Sequence, residues 1–89
     1  MIKYSRHSEE QLEERNISKD IINNVVLRPQ QIIRSPRGRK IAQSVIELNG
    51  IEFLLRVVFE ETKDCLKVIT AYRTTKINKY WRESDADTV

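Results

Sequence analysis

The chain has 89 residues and a net charge of +3; 39% of the residues are apolar, 33% are charged, two are Gly and two are Pro. This length supports one small domain, and this composition excludes a disordered basic tail. A lone cysteine, Cys65, excludes a disulfide framework, and without a signal-like start or a run of about 20 apolar residues we expect a protein of the reducing cytoplasm with no membrane partner.

Two short helices are predicted at the start of the chain. The first begins at a serine cap, Ser5 or Ser8, and runs to about Arg15. The second begins at the cap Ser18 and ends before Pro29, which cannot continue a helix. Its apolar stripe has helical spacing and consists of Ile21, Ile22, Val25 and Val26.

Four antiparallel strands are predicted after the helices. A short strand at 31–34 precedes a long hairpin, whose Asn49-Gly50 turn suits two residues with positive φ. A last strand runs from Cys65 to about Thr74, followed by a short helical turn at 76–82 and a frayed acidic tail at 83–89. The predicted pairs of the hairpin are Leu48 with Ile51, Ile46 with Phe53, Val45 with Leu54, Ser44 with Leu55, Gln43 with Arg56 and Ala42 with Val57.

The elements predict an α+β fold in a single domain of residues 1–82, with two N-terminal helices on one face of a four-stranded antiparallel sheet. One face of the hairpin is apolar and should lie under the helices, whereas Arg56 points to the other, open face. The length of the turn at 61–64 decides which face of the sheet each residue of the last strand occupies. An even turn sends Tyr72 towards the helices and Arg73 towards Arg56, and an odd turn exchanges the two; we take the even turn, of four residues.

Positive charge is concentrated in two blocks without carboxylates, Arg28 to Lys40 and Lys67 to Arg82, each with a net charge of +5. Such a distribution attracts polyanions, and nucleic acid is the usual one. The residues predicted to contact nucleic acid are Arg34, Arg37, Arg39, Lys40, Lys67, Lys76 and Lys79.

His7 is the only histidine, the residue type that exchanges protons most readily near neutral pH. On the first helix it shares about one quadrant with Gln11, Glu14 and Arg15. A surface histidine that hydrogen-bonds a carboxylate is the alternative interpretation.

Arg56 is flanked by leucines and valines, where a cation needs a partner. That partner is either Glu47, in an ion pair, or a bound phosphate. Arg73 likewise either forms an ion pair, in its case with Glu52, or binds a phosphate.

Five motifs occur in order along the chain: Arg6-His7-Ser8, Glu14-Arg15-Asn16-Ile17-Ser18, Leu27-Arg28-Pro29, Arg37-Gly38-Arg39 and Val68-Ile69-Thr70-Ala71-Tyr72-Arg73-Thr74. Over residues 5–80 they resemble a bacterial family of small uncharacterised proteins, a domain of unknown function distantly allied to RelE- and ParE-like toxins and to the barnase/colicin ribonuclease group. The resemblance implies metal-independent RNA cleavage, in which the ribose 2′-hydroxyl attacks the adjacent phosphate.

The resemblance also implies roles for individual residues. His7 would be the general acid or base, and Arg15 matches the helix-end arginine of the family. Arg73 would bind the phosphate, which Tyr72 or Thr74 would orient. The implied partners are RNA, including ribosome-associated RNA, and an acidic antitoxin protein; no cofactor is implied.

The hairpin register adds Arg56 to this catalytic set. The chain departs from the family pattern at Gln11, where arginine is common, and at Asn16, where glycine is common. A non-catalytic module that binds nucleic acid or an acidic protein with the same fold is the alternative function.

Overall fold

The computed structural model describes residues 1–82, in which five β-strands form one mixed sheet. The strands are β1 Ile2–Tyr4, β2 Gln31–Arg34, β3 Lys40–Leu48, β4 Ile51–Glu61 and β5 Leu66–Thr74. The helices are α1 Arg6–Glu14, α2 Lys19–Leu27 and α3 Ile77–Tyr80, and a 3-10 turn spans Pro36–Gly38. The strand order is β1-β5-β4-β3-β2. The tail predicted at 83–89 lies outside the described residues.

The prediction of a four-stranded antiparallel sheet missed β1. Strands β2 to β5 pair antiparallel as predicted, but β1 adds a parallel strand beside β5, with Ile2 opposite Leu66 and Tyr4 opposite Val68. A segment of three residues is too short for a visible alternation of apolar and polar side chains. Its partner strand lies more than sixty residues away along the chain, so no local pattern reveals the pairing.

Serine side chains begin both long helices. Ser5 Oγ accepts the N–H of Ser8 at 3.0 Å, and Ser18 Oγ accepts the N–H of Ile21 at 3.3 Å. Of the two candidates, Ser5 is therefore the cap of α1. Asn16 follows α1 with a φ of 56°, the left-handed conformation that lets the chain turn towards α2.

The hairpin of β3 and β4 has the predicted register throughout. Asn49 and Gly50 have φ angles of 53° and 80°, as their turn requires. Every predicted pair, from Leu48–Ile51 to Ala42–Val57, is present. Arg56 consequently lies directly opposite Gln43.

One apolar cluster joins the helices to the sheet. Helix α1 contacts β5, and α2 contacts β3 and β4. On β4 the cluster takes alternate residues, because alternate side chains of a strand point to the same face. Its buried members are Leu12, Ile17, Ile22, Val25, Val26, Ala42, Leu55, Val57, Phe59, Val68 and Ala71.

A β-bulge interrupts β5. Val58 and Phe59 are adjacent on β4, but their partners on β5 are Thr70 and Val68, so that Ile69 is an extra residue. A bulge of this kind reverses the side to which every later residue of its strand points. The two halves of β5 therefore follow opposite alternations.

The bulge overturns the predicted orientation of the last strand. Tyr72 lies directly opposite Arg56 and shares its face, whereas Arg73 lies opposite Leu55, a residue of the helix-side cluster. The prediction that Tyr72 points to the helices and Arg73 lies beside Arg56 is wrong. Turn length alone sets the face only for a strand without a bulge.

Tyr4 fastens β1 to α2. Its hydroxyl donates to Asn23 Oδ1 at 2.5 Å, and Lys19 Nζ lies 4.9 Å from its ring centre. Burial, and then the carboxylate of Asp20, raise the pKa of Tyr4 above its ordinary 10.0. Because the folded-state pKa is the higher one, the resulting stabilisation is complete below pH 10 and is lost as the pH rises through the folded pKa.

The stability of the wild-type protein should therefore fall more steeply above pH 10 than that of Tyr4→Phe, which has no phenol to ionise. Urea unfolding of both proteins between pH 7 and pH 11 measures the difference. The same pH dependence in both proteins would contradict this role of Tyr4.

Candidate functional site

Helix α1 lies along the part of β5 that β1 leaves unpaired. Strand β1 pairs only with residues 66–68. Beyond them, Ser5 Oγ donates to the carbonyl of Ile69 at 3.3 Å, and an Nη of Arg15 donates to the carbonyl of Ala71 at 2.6 Å. Side chains of α1 and of its two flanking residues thus take the place of a neighbouring strand.

His7 is connected to β5 through Gln11. The Nε2 atoms of His7 and Gln11 lie 2.9 Å apart, and the hydroxyl of Thr70 donates to Gln11 Oε1. With its oxygen accepting from Thr70, the amide of Gln11 donates its N–H to His7 Nε2. The imidazole of His7 is exposed to solvent, so a ligand can reach it.

An open depression of about 630 Å³ lies beyond the C-terminal end of α1. It unites three of the residues that the sequence predicted to be catalytic, and it also includes a carboxylate from the last turn of the helix. Its lining residues are Glu14, Arg15, Asn16, Tyr72 and Arg73.

The two arginines of this depression keep their charge available. Both are exposed, and within residues 1–82 neither forms an ion pair. The guanidinium of Arg73 lies 5.4 Å from the ring centre of Phe53, a cation–π arrangement that leaves its N–H groups free to donate. Within residues 1–82 Arg73 forms no ion pair with Glu52, so binding of a phosphate remains the prediction for Arg73.

Arg56 has a different environment from the other candidates. It is only 8% exposed, its Nε donates to Gln43 Oε1 at 2.9 Å, and an Nη donates to the hydroxyl of Tyr72 at 2.6 Å. The ring centre of Tyr80 lies 4.3 Å from its guanidinium carbon. Within residues 1–82 it forms no ion pair with Glu47 or any other carboxylate.

The two basic blocks differ in how much of their charge is neutralised. In the first block Arg39 pairs with Glu60 at 3.3 Å and Lys40 pairs with Glu61 at 2.5 Å. The remaining residues predicted to contact nucleic acid are exposed and form no ion pair within residues 1–82: Arg34, Arg37, Lys67, Lys76 and Lys79.

Thr74 hydrogen-bonds the backbone that follows β5. Its Oγ1 accepts the N–H of Lys76 at 3.0 Å, and it shares the sheet face of Arg56. It does not line the depression that holds Arg15, Tyr72 and Arg73.

Two polar residues near the candidate site were not singled out from the sequence. Thr70, beside the bulge, hydrogen-bonds Gln11, and Lys3 lies opposite Lys67 on the unrecognised strand β1. The four-residue spacing from His7 to Gln11 indicated their contact, but nothing local indicated Thr70.

Within residues 1–82 no helix has the length and hydropathy needed to cross a membrane. In the same part of the chain, no three His, Cys, Asp or Glu side chains gather closely enough to hold a metal ion.

The fold and the site define a small α+β protein with exposed cations where a helix meets the edge of its sheet. The model of the family described as Domain of unknown function (DUF4258) matches residues 4–73, and the chain belongs to that family. The matched segment includes His7, Arg15, Arg56, Tyr72 and Arg73. The comparison with curated proteins found no match, and neither did the comparison with solved structures.

Proposed function

We propose that the protein is a toxin-like RNA-binding protein and a metal-independent endoribonuclease that acts where α1 lies against β5. The observation that carries this proposal is the depression that Arg15, Tyr72 and Arg73 share at the end of the helix that also bears His7. A helix rises about 1.5 Å per residue, so His7 and Arg15 are about 12 Å apart along its axis.

RNA phosphates are the ligands that suit the two arginines. Guanidinium groups form charge-assisted, often bidentate hydrogen bonds to phosphate oxygens. Arg15 and Arg73 are both exposed and lie at one depression, so neighbouring phosphates of one strand can contact both. An RNA strand that continues along α1 from this point reaches His7.

The proposed reaction uses groups of the protein and of the RNA itself. His7 takes the proton of a ribose 2′-hydroxyl that displaces Gln11 from Nε2, and the 2′-oxygen forms a bond to the adjacent phosphorus. The bond from phosphorus to the 5′-oxygen breaks, and that oxygen takes a proton from water. Arg15 and Arg73 bind a neighbouring phosphate of the same strand at the depression, and this contact positions the reacting ribose at His7. The products are a 2′,3′-cyclic phosphate and a 5′-hydroxyl.

The proposal agrees with the resemblance to RelE- and ParE-like toxins in the motifs around His7, Arg15 and residues 68–74. Proteins of that type are neutralised by an antitoxin, and an acidic antitoxin segment would be attracted by the exposed cations of the second basic block. RNA and such an antitoxin are the proposed partners in the cytoplasm.

A non-catalytic nucleic-acid-binding module is the second candidate. The environment of His7 favours it: within residues 1–82 the imidazole has Gln11 as its hydrogen-bond partner and no carboxylate to orient it. This candidate retains the RNA contacts of Arg15 and Arg73 and predicts no cleavage.

Arg73→Glu should weaken the binding of single-stranded RNA about tenfold at low salt, since one charge-assisted hydrogen bond contributes about 1.5 kcal/mol or more. The slope of log affinity against log salt concentration should also become shallower by about 0.7, the value for one phosphate contact. Fluorescence anisotropy of a labelled RNA at several salt concentrations measures both quantities.

Lys63→Glu is the matched control. It makes the same change of charge at an exposed lysine in the turn before β5, at the far end of that strand from Arg73. If both variants lose affinity equally, the binding follows net charge and the assignment of Arg73 is wrong.

A further inference from the structure

The C-terminal segment 77–82, here called the strap, lies across the open face of the sheet. Gln31 Nε2 donates to the carbonyl of Arg82 at 2.6 Å, and the N–H of Arg82 donates to Gln31 Oε1 at 3.1 Å. Gln43 Nε2 donates to the carbonyl of Tyr80 at 3.2 Å. These contacts join the strap to β2 and β3.

The strap covers Arg56, a cation whose hydrogen-bond partners are all uncharged. The hydrogen-bond acceptors of Arg56 are an amide oxygen of Gln43 and a hydroxyl of Tyr72, and its guanidinium stacks against Tyr80. A buried charge is stabilised well only by an opposite charge together with hydrogen bonds. Within residues 1–82 the second Nη of Arg56 forms no hydrogen bond and no buried side-chain nitrogen lacks one, so this Nη lies at the solvent edge of the group, where its N–H groups can donate to a further ligand.

Donors converge on this point from three strands. Gln43, Arg56 and Tyr72 lie directly opposite one another on β3, β4 and β5. Neighbouring strands are about 4.8 Å apart, so the three side chains form a short row across the sheet. Their amide, guanidinium and hydroxyl N–H and O–H groups match the oxygens of a phosphate.

We propose that this row is a phosphate-binding site and that the strap is its lid. The site is separate from the depression of Arg15 and Arg73, although Tyr72 belongs to both. When the strap lifts, Gln43 loses its bond to the carbonyl of Tyr80 and Arg56 becomes accessible to an anion.

The strap has the features of a movable segment. Its helix α3 has only four residues, too few for stability on its own. It also carries Lys79 and Arg82, whose positive charges would be attracted to a phosphate bound in the site. Since the closed strap covers most of Arg56, the apparent affinity for a phosphate falls in proportion to the fraction of molecules that are open.

The test uses full-length protein and inorganic phosphate as the probe. Gln31→Ala combined with Tyr80→Ala removes the two bonds between Gln31 and Arg82 and the ring that covers Arg56, whereas Tyr80→Phe retains the aromatic ring and is the matched control. Circular dichroism checks the fold of each variant. The Nε–H resonance of Arg56, assigned with an Arg56→Lys variant, follows phosphate binding by NMR.

We expect the double variant to bind phosphate at least tenfold more tightly than the wild type and Tyr80→Phe, with the change centred on Arg56. Adding Tyr72→Phe should reverse part of this gain. Equal affinity in all proteins, or a response at Arg73 and not at Arg56, would overturn the proposal. Because the probe is inorganic phosphate, the result is independent of RNA binding or cleavage at the other surface.

Two further probes distinguish the source of the phosphate. A nucleoside 5′-monophosphate presents a terminal phosphate, and a dinucleoside monophosphate presents an internal one. Tighter binding of either probe by the double variant than by Tyr80→Phe supports the site and identifies its ligand. If the site binds inorganic phosphate but neither probe, nucleotide phosphates are excluded as its ligand.

Discussion

His7→Ala should lower the rate of RNA cleavage by about 10²- to 10⁴-fold, the usual contribution of a general acid–base residue. The imidazole is exposed on α1, so its removal takes away a proton acceptor and leaves the apolar cluster unchanged. The binding of RNA should change little, because Arg15 and Arg73 remain. Gel analysis of a defined single-stranded RNA, with a chelator present, measures the cleavage.

Glu9→Ala provides the control for the same helix. Glu9 is exposed, lies on the side of α1 away from His7 and pairs with Lys19 at 2.7 Å, so its loss should leave cleavage unchanged. Equal cleavage by wild type and His7→Ala would remove His7 from the reaction. Wild-type protein that binds RNA to saturation but leaves it intact would identify the non-catalytic module.

Phe59→Ala should destabilise the folded protein by about 3–5 kcal/mol, the range for removing a buried phenylalanine. Phe59 is 2% exposed and belongs to the cluster that joins both helices to the sheet. It also directly follows the register shift of β4 and β5, so a cavity at this point lies beside the bulge. A domain of this kind has a total stability of about 5–15 kcal/mol, and urea unfolding will detect the loss.

Ile51→Ala is the control on the same strand. Ile51 is 53% exposed, and a surface substitution of this kind changes the free energy of unfolding by about 0.5 kcal/mol or less. A similar loss in both variants would show that the cluster around Phe59 is not the main source of stability.

The sequence predicts best the features that depend on neighbouring residues. The register of β3 and β4 follows from Asn49 and Gly50, whose backbone preferences specify the turn. The two long helices follow from the caps Ser5 and Ser18 and from their apolar spacing. Each of these depends on a few residues close together in the chain.

Features set by distant contacts could not be predicted in the same way. Strand β1 exists because residues 66–68 offer it a free edge. The bulge at Ile69 depends on packing between β4 and β5, and it reversed the faces of Tyr72 and Arg73. A pattern of period two contains no information about one inserted residue.

The same distinction applies to the candidate site. His7 and Arg15 could be placed on one helix from the sequence, and the structure brings Arg15 together with Tyr72 and Arg73. The predicted register placed Gln43 opposite Arg56, but the contacts of Arg56 with Tyr72 and Tyr80 could not be foreseen, because they depend on the bulge and on the strap.

NMR titration of ¹⁵N-labelled protein with a short single-stranded RNA tests most directly the central claim that RNA binds where α1 meets β5. The account predicts that the largest shifts occur where α1 meets β5, at His7, Arg15, Tyr72 and Arg73, and that they diminish with added salt. Shifts confined to the first basic block, at 34–40, or no shifts at low salt, would contradict it.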